Sequence, residues 1–364
     1  MRKGIGFFIV LLLVTLALLA PSASAVNYGH TLYSSPSNHV EYARAIKLAN
    51  GKLLVAFNIM YSEWDGRLRF YKSVDNGETF SFVTEFADPT YSWIGAPAIL
   101  EISPGTILLS YNIDTPNNQP PAGQIIKVWK STDEGASWTF LATVEDGTNW
   151  CWEPEFAISS DGKLQLYYSY AGTTMDMLQQ NIVRRESSDG GVTWSSRVTA
   201  VGNSRNHVGM PRIVKGGSTY YMAVEYYEDL GGVRIVTSTD GKTWSSVASA
   251  PPMDKDNDGW MFSTPALTYV NGVLIGMGKR YADWYLPFPF FYDENDGKVV
   301  LYSKDGGQTW KEMAAPFTIQ FADDSSNWSP TLLPLSNTQL FMITNSDTAS
   351  AHRIMYDTGP ISTP

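Results

Sequence analysis

The chain has 364 residues, with 26 lysines and arginines against 36 aspartates and glutamates, four histidines and one cysteine. A formal net charge of −10 excludes the broad basic surface that nucleic acid or an anionic membrane requires. The lone Cys151 closes no intrachain disulfide, so stability has to come from core packing.

Residues 1–25 read MRKGIGFFIVLLLVTLALLAPSASA, with two basic residues, an apolar run from Ile5 to Ala20 and the small residues Ala23, Ser24 and Ala25. The pattern predicts a secretory signal peptide cleaved after Ala25, and therefore an extracellular protein. Its removal deletes Arg2 and Lys3 and leaves a charge of 24 − 36 = −12. No later segment approaches the length of a membrane span. Residues 26–364 contain no Pro/Gly/Ser linker and are expected to form one domain.

Two elements then recur out of phase. The first is a strand, a Gly/Asn turn and a second strand: YARAIKLANGKLLVAFN (42–58), GAPAILEISPGTILLSYN (95–112), WEPEFAISSDGKLQLYYS (152–169), GMPRIVKGGSTYYMAVE (209–225), STPALTYVNGVLIGMGK (263–279) and WSPTLLPLSNTQLFMIT (328–344). Aligning Arg44, Pro97, Pro154, Pro211, Pro265 and Pro330 gives intervals of 53, 57, 57, 54 and 65 residues. The second is an acid turn: SVDNGETF (73–80), STDEGASW (131–138), SSDGGVTW (187–194), STDGKTW (238–244) and SKDGGQTW (303–310). There the Asp accepts turn N–H groups, Gly takes positive φ and the aromatic packs beneath. The acid turns resemble the Asp-box of sialidase-like propellers. Six units of two hairpins predict an all-β, six-bladed β-propeller of four-stranded antiparallel blades. The segment NYGHTLYSS (27–35) is expected to supply the sixth blade's outer strand and close the ring.

Antiparallel order fixes which residues share a face. The start of strand 1 and the end of strand 2 lie together, and the acid turns lie on the opposite face, so Asp75, Asp133, Asp189, Asp240 and Asp305 read as structural. Glu153 begins strand 1 of blade 3, and Glu225 ends strand 2 of blade 4. Both therefore reach one face near the axis on adjacent blades. Other blades carry Asn58, Asn112 and Ser169 near the position of Glu225, and Ala96, Met210 and Thr264 at that of Glu153. The scaffold itself thus requires neither acid. Seven of the twelve tryptophans (Trp64, Trp93, Trp150, Trp152, Trp260, Trp284 and Trp328) also fall on this face. Aromatic rings with scattered polar groups suit sugars. Arg44, Trp93, Asn112, Trp152, Asn206, His207, Trp260, Arg280 and Trp328 are the candidate substrate-binding residues.

Two carboxylates flanking a glycosidic bond are what glycoside hydrolysis uses. Cys151, Trp152 and Pro154 are expected to desolvate Glu153 and keep it protonated as the acid. Glu225, near Tyr226, Tyr227 and a cation such as Arg44, Arg212 or Arg280, is expected to be the ionised nucleophile. The reversed assignment stays open, and Glu155 is the reserve acid.

The WEP at 152–154, LQLYYS, QQNIVRRESSDGGVTW, the GMP at 209–211, the Glu closing the next hairpin and the YAR at 42–44 resemble glycoside hydrolase family 93. That resemblance implies a secreted, retaining exo-α-L-arabinanase on a sialidase-like propeller, with Glu153 and Glu225 as the pair. It implies release of arabinobiose from the non-reducing end of linear α-1,5-arabinan, a plant cell-wall polysaccharide, by a monomer without a cofactor. Retention requires the carboxyls to be about 5 Å apart.

Two other readings compete. An exo-sialidase would use Arg44 in an arginine triad, but NWSPTL in blade 6 offers no tyrosine nucleophile. A non-catalytic carbohydrate-binding propeller would keep the aromatics without needing paired acids. The spacing of DKDNDG (254–259) suits calcium at Asp254, Asp256 and Asp258, but Pro265 stands where the bidentate acid belongs, so no metal is expected. His30, His39, His207 and His352 are isolated in sequence and suggest no zinc motif, while Cys151 reads as a buried small residue. Loops 112–124 and 279–298 are expected to wall the pocket and enforce exo cleavage.

Overall fold

Alternation of apolar and polar residues makes each repeat a pleated hairpin with one face free to pack on its neighbour. The computed structural model describes residues 26–114, 123–173, 179–202, 207–227, 232–253, 260–281, 297–321 and 326–363, with only the backbone at 260–262 and 280–281. Strand β1 (His30–Ser35) precedes a first sheet of β2 (His39–Lys47), β3 (Leu53–Ser62), β4 (Asp65–Ser73) and β5 (Ser81–Phe86). The second sheet holds β6 (Ile94–Ser103), β7 (Thr106–Ile113), β8 (Ile125–Ser131) and β9 (Thr139–Asp146), and the third β10 (Trp150–Ile158), β11 (Leu164–Gly172), β12 (Asn181–Ser187) and β13 (Val198–Val201). The fourth is β14 (His207–Gly216), β15 (Thr219–Tyr227) and β16 (Val233–Ser238), and the fifth β17 (Trp260–Val270), β18 (Val273–Tyr281), β19 (Val299–Ser303) and β20 (Lys311–Ala314). In the sixth, β21 (Thr331–Ser336), β22 (Gln339–Asn345) and β23 (His352–Pro360) are joined by β1, which pairs antiparallel with β23.

Six apolar clusters lie between successive sheets. Leu54, Phe70, Tyr111 and Trp129 pack the first sheet on the second, and Phe57, Ile59, Phe341 and Ile343 pack the first on the sixth. The other four clusters occupy the remaining seams. The sheets therefore form a ring of six blades.

One blade departs from the four-strand expectation. After β16 the chain makes a short 3-10 turn at Val247–Ser249 and returns beside β16 through Pro251 and Pro252. Ile235 N–H donates to Pro251 O, Met253 N–H donates to Val233 O, and one bridge joins Arg234 to Pro252. Proline has no N–H to donate, so a fourth ladder does not form.

The acid turns are structural knots. In the first, Ser73 Oγ donates to Asp75 Oδ1 at 2.7 Å, Thr79 N–H donates to the same oxygen at 2.9 Å, and Gly77 N–H donates to Ser73 Oγ at 2.8 Å. A Cβ on Gly77, at φ 91°, would stand 3.2 Å from Phe341, so the glycine also permits close blade packing. The threonine hydroxyls hold Asp75 and Asp189 down at about 2, as expected for carboxylates that serve as acceptors.

The inner strands carry a second repeated device. Tyr42, Ala96, Glu153, Met210, Thr264 and Ser329, one per blade, all have φ between 48° and 59°. In blades 1 to 5 the ladder slips by one residue there, for example between Trp152/Ser169 and Glu155/Tyr167. Each is a β-bulge, and in five blades the next residue is a proline whose missing N–H falls where no ladder bond is made. This corrects the sequence alignment: Ala43, not Arg44, is equivalent to the prolines. Tyr42 therefore occupies the position of Glu153, and Arg44 that of Glu155 and Arg212.

Candidate active site

The bulge explains how an acid at a strand start reaches the axis. Glu153 in blade 3 meets Tyr42 in blade 1, whose hydroxyl donates to Glu153 Oε1 at 3.3 Å. Side chains two blades apart touch only if both turn inward. Glu153 Oε2 accepts from Ser169 Oγ at 2.8 Å and from Met210 N–H at 3.2 Å. Glu225, paired across the ladder with Gly209, accepts Thr264 N–H at 2.7 Å and lies 3.4 Å from His207 Nε2. The two acids thus converge on the Gly209–Met210 dipeptide from either side.

Burial first, and the facing Glu225 second, push the Glu153 carboxyl up to about 7. Burial also drives the Tyr42 phenol well above its ordinary value, with Glu153 adding to the effect. A neutral phenol donates to the ionised acid and can accept from the protonated one. Cys151, one of the three residues expected to desolvate Glu153, faces blade 2 instead. Its thiol donates to Gln124 O at 3.3 Å, and burial raises its pKa well above the ordinary range. Trp152 stacks on Trp150 at 6.0 Å and 26°. The polar partners of Glu153 come from other segments, Tyr42, Ser169 and Met210.

One layer deeper, the channel holds the reserve acid and two of the arginines. Arg212 Nη1 donates to Glu155 Oε2 at 3.2 Å, while Arg212 Nη2 and Arg44 Nη2 both donate to Ser329 Oγ, at 2.5 and 2.9 Å. Burial pushes Glu155 up to about 7, opposed by Arg44 and by the Ile213 N–H. A cavity of about 200 Å³ continues below, lined by Ile46, Ile99, Val214, Leu267 and Leu332. Neither Glu153 nor Glu225 lines it, so it belongs to the channel and not to a substrate pocket at the mouth. Arg44 is therefore a channel residue, with its guanidinium also bound to Ala43 O and Ser329 O. Arg44 and Arg212, two of the cations expected beside Glu225, are held at Ser329 instead, and His207 lies against Glu225.

Of the other candidate residues, Trp93 lies over Gly95, where a Cβ would come within 2.9 Å of its ring. Asn112 is buried with Oδ1 unpartnered. His207 packs on Tyr227 with ring centroids 4.5 Å apart. Trp328 meets Tyr42 edge-on at 6.5 Å. Trp260 and Arg280 are placed by backbone alone, opposite Tyr281 and Met261. Asn206, the DKDNDG segment, Trp284 and most of both long loops lie outside the described residues.

Sequence reading missed Lys279, which is fully buried at the strand-2 position of Glu225 with Nζ 4.3 Å from the Trp328 ring centroid. The signal was present: Asn58, Asn112, Ser169, Glu225 and Lys279 all pair with the residue before the bulge. That makes a ring of buried polar side chains around the mouth.

Fold and site together define a sialidase-like propeller with a carboxylate pair at the axis. No family model matches the chain, and no curated protein matches it in sequence. Among solved structures it is similar to the glycoside hydrolase family 93 α-L-arabinofuranosidase of Fusarium graminearum in complex with arabinobiose, at 18% identity and TM-score 0.71 over 92% of this chain and 96% of that one. It is also similar to the α-L-arabinanase of Penicillium chrysogenum complexed with arabinobiose, at 19% identity and TM-score 0.71 over 92% and 98%. A Trypanosoma rangeli sialidase with sialic acid gives 13% and TM-score 0.59 over 89% of this chain and 54% of that one. These likenesses establish the fold.

Proposed function

We propose that the protein is a secreted, retaining exo-glycoside hydrolase that acts on α-1,5-linked L-arabinan and releases arabinobiose from the non-reducing end. The carrying observation is that Glu153 and Glu225, from adjacent blades, converge on Gly209–Met210, with Glu153 held protonated up to about pH 7. In this reading Glu153 protonates the leaving oxygen and Glu225 attacks the anomeric carbon. Water then attacks the anomeric carbon, Glu153 takes its proton, and the bond to Glu225 breaks to release the sugar and restore the carboxylate. Tyr42, His207, Trp93, Trp152 and Trp328 surround the reacting sugar. The solved structures with arabinobiose support that sugar.

A sialidase is less well supported. It needs three arginines free to grip a carboxylate, and both Arg44 and Arg212 are committed to Ser329 and the channel. The test is to incubate the protein with debranched arabinan and, separately, with a sialoside, following the products by chromatography and the first-formed anomer by proton NMR. Arabinobiose of retained configuration supports the proposal. Released sialic acid, or an inverted product, contradicts it.

A further inference from the structure

Fold topology joins two histidines that lie 313 residues apart in sequence. His39 opens β2, Asp347 follows β22 and His352 opens β23. One nitrogen of each ring and one Asp347 oxygen all lie within 4.8 Å of one another. The rings meet edge-on at 5.1 Å, and Asp347 Oδ2 stands 3.2 Å from His352 Nδ1. Tetrahedral coordination at zinc distances separates ligand atoms by about 3.3 Å, so the Asp347–His352 pair already has the spacing, with a His39 nitrogen within 4.8 Å.

We propose that His39, Asp347 and His352 bind a divalent first-row cation of the zinc type, clamping the first blade to the sixth. The donor set is right for such an ion: two imidazoles and a carboxylate. Outer contacts fix the donors. Asp347 is buried, its Oδ1 accepts Arg353 N–H at 3.0 Å, and its own N–H donates to Ser326 Oγ at 2.9 Å. Glu41 Oε2 lies 3.1 Å from His39 Nε2 and orients that ring, as carboxylates do behind metal-bound histidines. Asp347 and Glu41 bring two carboxylates to the pocket. Arg353 donates through its guanidinium to Ser346 O and Gln320. The inference is independent of the glycosidase reading.

The test uses the full chain, stripped with a chelator and titrated with zinc chloride by calorimetry and thermal unfolding. One zinc ion per chain is expected. At a hundredfold excess over Kd, linkage raises Tm by about 4 °C for a chain of this size. His39→Ala and His352→Ala should each abolish the shift, while His30→Ala, on exposed β1, keeps it. Cobalt(II) added to the stripped wild-type chain should give the intense visible bands of a tetrahedral site, a readout that survives if the variants fold poorly. Absence of binding, a shift that persists in the doubly substituted chain, or a cobalt spectrum indistinguishable from the free ion would each overturn the assignment.

Discussion

In the proposed reaction, replacing Glu153 by Gln keeps the side chain's size but removes the proton that the leaving oxygen requires. The structure sets the scale. A carboxyl raised to about 7 from the ordinary 4.5 is about 90% protonated at pH 6 instead of about 3%, so the axis supplies about 30-fold more acid at that pH. Positioned acid catalysis contributes about 10²–10⁴ in rate, and E153Q should lose that factor in kcat on arabino-oligosaccharides. An arabinobioside of 4-nitrophenol, whose leaving group needs no proton, should lose far less in its first chemical step. The same shift carries a stability sign. The folded carboxyl holds its proton more tightly than the unfolded one, so its stabilising contribution is complete below about pH 4.5 and is lost as pH rises through about 7. Above that, the ionised acid costs about 1–3 kcal/mol, the upper end being the full shift and the lower end allowing for partial exposure. E153Q should therefore match the wild type at pH 4 and exceed it at pH 8 in urea unfolding. Undiminished hydrolysis, or a stability difference that does not grow with pH, would refute the reasoning.

Other consequences are open to measurement. Tyr42→Phe removes a donor to the ionised form of Glu153, so the limb of the kcat/KM profile set by that acid should move to higher pH. Arg212→Ala leaves Glu155 buried without the cation it contacts; breaking such a pair costs about 3–5 kcal/mol in urea unfolding, and adding Glu155→Gln should restore part of it. Asp189→Ala unties one acid turn on the face opposite the acid pair, and should lower Tm while leaving kcat and KM unchanged.

The repeat made most of the architecture legible, because strand alternation and the acid turns are local patterns that survive in the chain. The acid pair was legible for the same reason: Glu153 and Glu225 stand where other blades carry other residues. What stayed hidden depended on geometry between segments. The bulge at Tyr42 lacks the proline that marks the other five, so the first blade was aligned one residue late and Arg44 was placed at the mouth instead of in the channel. Two prolines removed a strand from the fourth blade that pattern alone would supply. Cys151 stands two residues before Glu153, yet it faces Gln124 in blade 2. His39 and His352 look isolated until the last sheet is laid against the first.

The central claim is that Glu153 and Glu225 together cleave the glycosidic bond. It is met most directly by quantifying arabinobiose released from debranched arabinan by wild type, E153Q and E225Q, alongside calorimetric binding of the same oligosaccharide. The account predicts product from wild type alone, with binding retained in all three. Undiminished release by either variant would contradict it.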